Sequence, residues 1–569
     1  MLGLLSSQTY PVITMSPNRT TLSRRRSLKR SHPLYALLLS AALMFGVAGE
    51  AFAQRVVDVA PGFGTLNDAI HSDTTATGDR VDPNTIYMLQ RGGHYALNGG
   101  IMPTGNFHLT IDGGEGEGRP AVLQIFSDET GASAADFITS EGNVTIRNLY
   151  FLGVDDLGGY RNTVAVMNRP QDARLVVEDI VVDYGRFIAF RFNGENGKLY
   201  LSDSFIRNIV TTNNLGNGKI IDPRGNIMDT VHVTNTTFST VSAEFMRESG
   251  APQKYVHLDH NTFYNVHALL RNDLRFNESK LWKGRITNNL FINMGWPGDT
   301  LQVADPDPVQ QAGIFVFDSL RVDTLGMSDA TRDIFISNNN FFTSQAFLDF
   351  YAQADTIQQF PIFSPRAQHF VDQGLVTVGE TFELDPEFSD VPGVQDHIDW
   401  VSLYWTDPGL ITGPFAFDPD GAQNVDTWPL PEDFSYPATS PLYTAGTGGF
   451  PLGDLNWFPD RKADWVAVDT ESEPELPRGV VLHGNYPNPF NPSTTIRFDL
   501  AVPAEVRVEV FDLLGRQVLA LPPVAMPSGS DQRLLLEAGS LASGVYLYRL
   551  TAESSVQTPA KMGRMVLVK

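Results

Sequence analysis

The chain has no cysteine among its 569 residues. That excludes disulfides, thiolate metal sites and a thiol nucleophile. Positive charge is scarce: 41 Lys and Arg stand against 65 Asp and Glu. One long apolar run occurs near the N-terminus, and no later stretch is long and apolar enough to span a membrane. A nucleophile elbow, an HExxH helix and a P-loop are all missing, which leaves a protease or nuclease reading without support.

The N-terminal residues have the layout of a secretory leader. "RRRSLKR" (Arg24 to Arg30) is basic, "PLYALLLSAALMFGVAG" (Pro33 to Gly49) is apolar, and "AFA" (Ala51 to Ala53) is a small-x-small cleavage site. The alternative is a membrane anchor. The basic segment begins late, so Met15 is a candidate start. Residues 1–53 hold six basic residues and one acidic residue, leaving 35 basic against 64 acidic, a formal −29. Such a surface repels nucleic acid and anionic lipid. It accepts an anionic glycan only where basic groups gather.

One pattern recurs through the middle of the chain: apolar, any, apolar, any, Asn-like, two more, then aromatic or aliphatic. It is present in "VTIRNLYF" (Val144 to Phe151), "LVVEDIVV" (Leu175 to Val182), "LYLSDSFI" (Leu199 to Ile206) and "VHVTNTTF" (Val231 to Phe238). It continues in "VHLDHNTF" (Val256 to Phe263), "GRITNNLF" (Gly284 to Phe291) and "IFISNNNF" (Ile334 to Phe341). The Asn-like positions are Asn148, Asp179, Asp203, Asn235, His260, Asn288 and Asn338. Period-two alternation means short strands, and a fixed repeat means a stacked array. Together they predict the coils of a parallel β-helix, with apolar columns inside and a polar ladder at one turn.

Candidate site residues follow from that register. His260 takes the turn-ladder place, so its first reading is a stacked turn residue. Val256 and Leu258 point inward, which turns His257 and Asp259 outward. His232 and Thr234 are their equivalents below, and Arg285 and Thr287 above. A solvated strand face and a cleft wall both fit. Arg191, Arg247 and Arg271 lie eight or nine residues after the aromatic or aliphatic position of their units. They predict a basic ridge suited to carboxylate or sulfate, or ion pairs with Glu195, Glu244, Glu248 or Asp273. Trp282, Trp296 and Tyr264 are candidates for stacking on sugars or for core packing.

Two resemblances extend this reading. Residues from about Arg55 to Phe350 resemble the pectate-lyase-like right-handed β-helix superfamily. "VAPGFGTLNDAI" (Val59 to Ile70) is similar to its opening strand, Gly-rich turn and capping helix. "VHLDHNTF" resembles the family's "WIDH" segment near the calcium and substrate cleft, with His257 in place of Trp. The later "RxPxxR" segment does not occur. "VDD" (Val154 to Asp156) is only faintly similar to the aspartates of polygalacturonases. At the other end, "NYPNPFNPSTTIRFDL" (Asn485 to Leu500), "VRVEVFDLLGRQV" (Val506 to Val518), "LASGVYLYRLTA" (Leu541 to Ala552) and "KMGRMVLVK" (Lys561 to Lys569) resemble the type A C-terminal sorting domain of the type IX secretion system. That resemblance implies export through the periplasm and surface attachment or release. An Ig-like binding module is the alternative.

The expected architecture is all-β, a right-handed parallel β-helix followed by a small antiparallel Ig-like sandwich. The segments are a signal peptide at 1–53, the β-helix with its N-terminal cap at 54–356, an irregular C-terminal cap at 357–460, an acidic linker at 461–482 and the sorting domain at 483–569. "DPDG" (Asp418 to Gly421) reads as a turn with calcium affinity as its second meaning. The expected partners are extracellular polysaccharide and, through residues 483–569, the type IX machinery. Nucleic acid and a spanning segment in the mature chain are not expected, and the chain is expected to act as a monomer. Two functions stay open. A polysaccharide lyase performing β-elimination would place Arg247 and Arg271 on a uronate carboxylate, use Lys254 or His257 as base, and hold Ca²⁺ with the help of Asp259. Arg191, His232 and Arg285 would then bind substrate. A non-catalytic, adhesin-like protein would present the same face as a flat glycan-binding surface.

Overall fold

The computed structural model describes residues 55–77, 80–82, 85–103, 105–209, 218–271, 280–294, 313–320, 326–353, 361–406, 428–469, 480–486, 488–500, 504–512, 516–526, 529–539, 541–553 and 561–569. The leader, Asp273, Trp296, Asp418–Gly421 and residues 470–479 of the acidic linker lie outside these residues. No helix among the described residues is long and apolar enough to cross a membrane.

From Val56 to Phe382 the strands pair in parallel, each with its counterpart one coil away. The register equates Val231, Val256, Gly284 and Ile334 on successive coils. Val231, Val233, Val256, Leu258, Ile286, Ile334 and Ile336 are all buried in one continuous core. The residues between them face outward, as strand alternation requires. Helix Thr65–His71 buries Leu66 and Ile70 against this core at the N-terminal end.

The turn ladder is a backbone requirement. Asn148, Asp179, Asp203, Asn235, His260, Asn288 and Asn338 all adopt φ between +44° and +59°. Asn, Asp and His tolerate this left-handed region better than other side chains. Five residues later a second left-handed turn repeats at Tyr184, Asn208, Thr240, Asn265 and Asn293. Between the two turns the inward side chains stack. Phe238, Phe263, Phe291 and Phe341 form a column with centroids 5.0, 5.0 and 5.2 Å apart. Beside it runs a buried amide ladder: Asn261 Nδ2 donates to Asn289 Oδ1 at 3.0 Å, and Asn289 Nδ2 to Asn339 Oδ1 at 2.9 Å.

Residues 357–460 differ from the expected irregular cap over the last coil. Strands Val376–Val378 and Thr381–Phe382 pair with Ile334–Ile336 and Asn339–Asn340, so the solenoid gains a further coil. Residues 428–462 then run back along one flank. Gly453 N donates to Asn288 O, Asp454 N to Thr262 Oγ1, Asn456 Nδ2 to Asn235 O, and Lys462 pairs with Asp203 at 2.8 Å. This strap covers outward apolar side chains: Phe434, Tyr436, Leu442 and Leu452 pack on Tyr264, Leu290 and Ile292. Gly453 has φ +84°, and a Cβ there would sit 2.7 Å from Leu290 and Thr262 side-chain atoms, so only glycine lets the strap lie this close.

The C-terminal residues form two antiparallel sheets. One comprises Val480–Tyr486, Ser493–Leu500 and Gly529–Glu537; the other is built on Ala504–Phe511 and Gly544–Glu553, with Lys561–Leu567 at its edge. Ala504–Phe511 alternates buried and solvent-facing residues along its length. Ile496, Phe498, Val506, Val508, Val510, Tyr548, Leu550 and Met565 fill the core of this sandwich.

Candidate functional site

The outward column predicted around His257 is in register. Tyr200, His232, His257 and Arg285 occupy equivalent places on four successive coils. The His232 and His257 rings stack at 4.4 Å with 25° between planes, and Tyr200 lies 6.2 Å from His232. Burial, and then the neighbouring His257, push His232 down to about 4, so it is neutral near pH 7. Tyr255 stands edge-on to His257 at 6.3 Å. Cations flank the rings: Arg174 lies 5.1 Å over Tyr200, and Lys283 lies 4.4 Å over Trp282. Trp282 Nε1 donates to Thr331. Tyr200, His232, Tyr255, His257, Arg174, Trp282, Lys283 and Arg285 are all half-buried, a line of rings and cations along the solenoid.

The strip's own ion pairs limit it. Arg285 makes a two-pronged contact with Asp333 at 2.7 and 3.1 Å. Lys254 Nζ donates to Asn196 Oδ1 at 2.9 Å and to Asp229 Oδ1 at 3.3 Å, and Lys198 approaches Asp229 Oδ2 at 3.3 Å. Burial disfavours the Asp229 charge, but the two ammonium groups outweigh it and hold Asp229 below the usual carboxylate range. Lys254 is therefore tethered between Asn196 and Asp229.

Asp259 does not offer itself to a cation. Its Oδ1 accepts from Thr287 Oγ1 at 2.6 Å and Asn288 Nδ2 at 2.7 Å, and its Oδ2 accepts from His260 Nδ1 at 2.7 Å. Burial opposes its charge, yet His260 and these donors hold it at about 2. The carboxylate locks the turn between coils. His260 is 1% exposed and packs 5.5 Å from Trp465. No group of three or more His, Asp or Glu side chains among the described residues is arranged to hold a metal. Tyr264, weighed as a sugar-stacking ring, is buried under the strap, where its hydroxyl donates to Pro392 O.

The arginine ridge needs a correction. Arg247 and Arg271 are register partners on adjacent coils, as expected. Arg191 is not their immediate neighbour: it pairs with Asp222. The strand Lys219–Asp222 lies between and puts Asp222 at the equivalent position. Arg247 and Arg271 end strands that precede a turn, whereas Lys254 and His257 lie on the strand that follows it. The four residues grouped as a lyase centre thus come from two different strands of the coil. Sequence reasoning missed Lys219, which is buried at 1% exposure beside Asp222. The signal was two charges bracketing Ile220 and Ile221 in an otherwise apolar strand.

Comparison with known proteins bears on the C-terminal end. The family model for a secretion system C-terminal sorting domain matches residues 485–562. No curated protein matches the chain. Among solved structures, a crystal structure of dimeric latent PorU from Porphyromonas gingivalis is 26% identical over 16% of this chain and 9% of that chain, with a TM-score of 0.14. The chain thus spans less than a tenth of that neighbour, and the overlap carries no argument about fold. The sorting domain directs the chain to export through the type IX machinery, with a secreted or cell-surface location.

Proposed function

We propose that this exported β-helix protein engages an extracellular polysaccharide along the strip from Tyr200 to Arg285. The observation that carries the reading is the His232–His257 stack, held in line between a tyrosine and an arginine on consecutive coils. Successive coils repeat every ~4.8 Å, so the strip offers rings and cations at a regular spacing to a regular polymer. Aromatic faces suit sugar rings, and Arg174, Lys283 and Arg285 suit uronate or sulfate groups. On a chain of formal −29 this local cation content favours an acidic polymer. The test is retention of the purified exported chain on gels of acidic and neutral polysaccharides. His257→Ala and Tyr200→Ala should each weaken retention on the acidic gel several-fold. Equal mobility of both variants and the parent would sink the reading.

Lyase activity is the second reading, favoured by the pairing of Arg247 with Arg271. Two arginines in register on adjacent coils suit the carboxylate of a uronate, and β-elimination would still require a base and a proton donor. Ultraviolet absorbance of the unsaturated product, followed over a panel of uronate polymers with and without Ca²⁺, tests it. A rise that disappears in Arg271→Ala supports the lyase; a flat trace with retention on the gel supports the binding protein.

A further inference from the structure

The two sheets of the C-terminal sandwich turn different faces outward. In the sheet of Val480–Tyr486, Ser493–Leu500 and Gly529–Glu537, the buried residues Ile496, Phe498 and Leu536 face the core. Alternation turns Thr495, Arg497, Arg533, Leu535 and Glu537 away from it. Leu535 is the one apolar side chain among these five. That is the usual division of an antiparallel sheet, one face in the core and one in water. In the other sheet Val510, Tyr546, Tyr548, Met565 and Leu567 face the core. Alternation here turns Phe511, Val545, Leu547, Met562 and Val566 outward, so this sheet is apolar on both faces. The outward residues are contiguous: Phe511 pairs with Leu547, Val545 with Val566, and Arg549 with Met562. Val545 is 37% and Met562 56% exposed, while Phe511, Leu547 and Val566 are half-buried.

A contiguous apolar patch held in water costs free energy and marks a surface that is covered in use. Aromatic residues, methionine and arginine are also the side chains enriched at interfaces. Two observations name what covers it. The patch lies on the part of the chain that matches a secretion sorting domain, residues 485–562, and such a domain engages the type IX machinery. The charge of this domain also departs from that of its cargo. Residues 485–569 hold eight basic and seven acidic residues, leaving 27 basic and 57 acidic among residues 54–484. On the patch itself Arg564 is exposed beside Leu547, its register partner. Arg549 lies 5.3 Å over the Phe511 ring and is held by Glu509 at 2.6 Å. The complement of such a face is an apolar surface edged by carboxylates.

We infer that the outward face around Leu547 is the surface by which the sorting domain docks on the type IX machinery, against a component that presents an apolar patch with an acidic edge. The sheet of Ser493–Leu500 turns its polar face to water and takes no part. This assignment is independent of polysaccharide binding by the solenoid, and either can fail without the other.

Export of the full chain by a bacterium with a working type IX system tests it, read as the ratio of chain outside the cell to precursor in the periplasm. Met562→Glu and Arg564→Glu put negative charge at exposed positions of this face, and each should lower the ratio at least about tenfold. Leu535→Glu is the matched control on the other sheet, at a position 58% exposed, and should export like the parent. Urea midpoints of the purified chains should agree, because all three positions are exposed. If Met562→Glu nevertheless lowers the midpoint, Arg564→Glu decides alone. Parent-like export of Met562→Glu and Arg564→Glu would overturn the docking face. An equal loss in Leu535→Glu would overturn it too, because the effect would then belong to the charge and not to the face. A parent chain that sediments as a dimer, with Met562→Glu a normally exported monomer, would assign the face to a second copy instead.

Discussion

Glu432 on the strap accepts a hydrogen bond from Arg207 on the solenoid, 225 residues away in sequence, with both side chains buried. Arg207 also donates to Asp183 at 2.7 Å, and Asp183 accepts from Tyr150 at 3.1 Å and Asn208 at 2.8 Å. Burial works against the arginine's charge, but the two carboxylates hold it firmly protonated. Removing one member leaves an uncompensated buried charge, which costs roughly 3–5 kcal/mol. Arg207→Ala should therefore destabilise the solenoid by about that amount in urea denaturation. Glu432→Ala should in addition make residues 428–462 sensitive to limited proteolysis. A strap that stays resistant in that variant would show that its apolar contacts suffice.

Asp454 makes strap docking depend on pH. It is 2% exposed, and its carboxyl accepts from Thr237 Oγ1 at 2.8 Å and Asn456 N at 2.9 Å. Burial pushes it up to about 7 from the ordinary 3.8. The folded form thus keeps a proton that the unfolded chain releases, and stability falls as pH rises from about 4 to about 7. The slope is at most about 1.4 kcal/mol per pH unit, and it vanishes above the folded value, where both states are ionised. The urea midpoint of the parent, measured against Asp454→Asn across this window, should converge toward acid and diverge toward neutral pH. Parallel curves would place the proton elsewhere.

Phe263 sits between Phe238 and Phe291 at 5.0 Å from each, fully buried. Phe263→Ala leaves a cavity between two rings that the backbone ladder holds apart. The expected cost is about 3–5 kcal/mol, against about 1 kcal/mol for Phe263→Leu. Chemical denaturation of the two variants separates cavity formation from loss of ring stacking.

Asp333 and Arg285 are paired at the surface, with side chains 56% and 38% exposed. Such pairs contribute about 0–1 kcal/mol. Asp333→Asn should leave the melting temperature nearly unchanged and strengthen retention on an acidic polysaccharide, because Arg285 is released to the ligand. Weaker retention would mean that Asp333 positions Arg285 rather than competing for it.

The readable parts of the site were those set by local geometry. His232, His257 and Arg285 could be aligned because strand alternation and turn position define register over a few residues. Asp259 could not be read in the same way. Its side chain faces outward as alternation predicts, but Thr287 and Asn288, on the next coil, take up its oxygens. Lys219 was hidden because the sequence separation from Asp203 to Asp222 is longer than that from Asn235 to Arg247, which breaks the spacing that aligned the arginines.

Sequence by itself determined the solenoid, the seven positions of its polar turn ladder and the sorting sandwich. Each rests on backbone preferences or two-residue alternation, which act within one strand and turn. Tertiary structure alone decided that Arg191 pairs with Asp222, that Asp259 is spent on the turn, and that residues 428–462 sheathe one flank. Those outcomes depend on which coil stacks on which, and on burial shared by residues up to 225 positions apart. No local pattern records such pairings, because the free energy that selects them arises only when the coils are assembled.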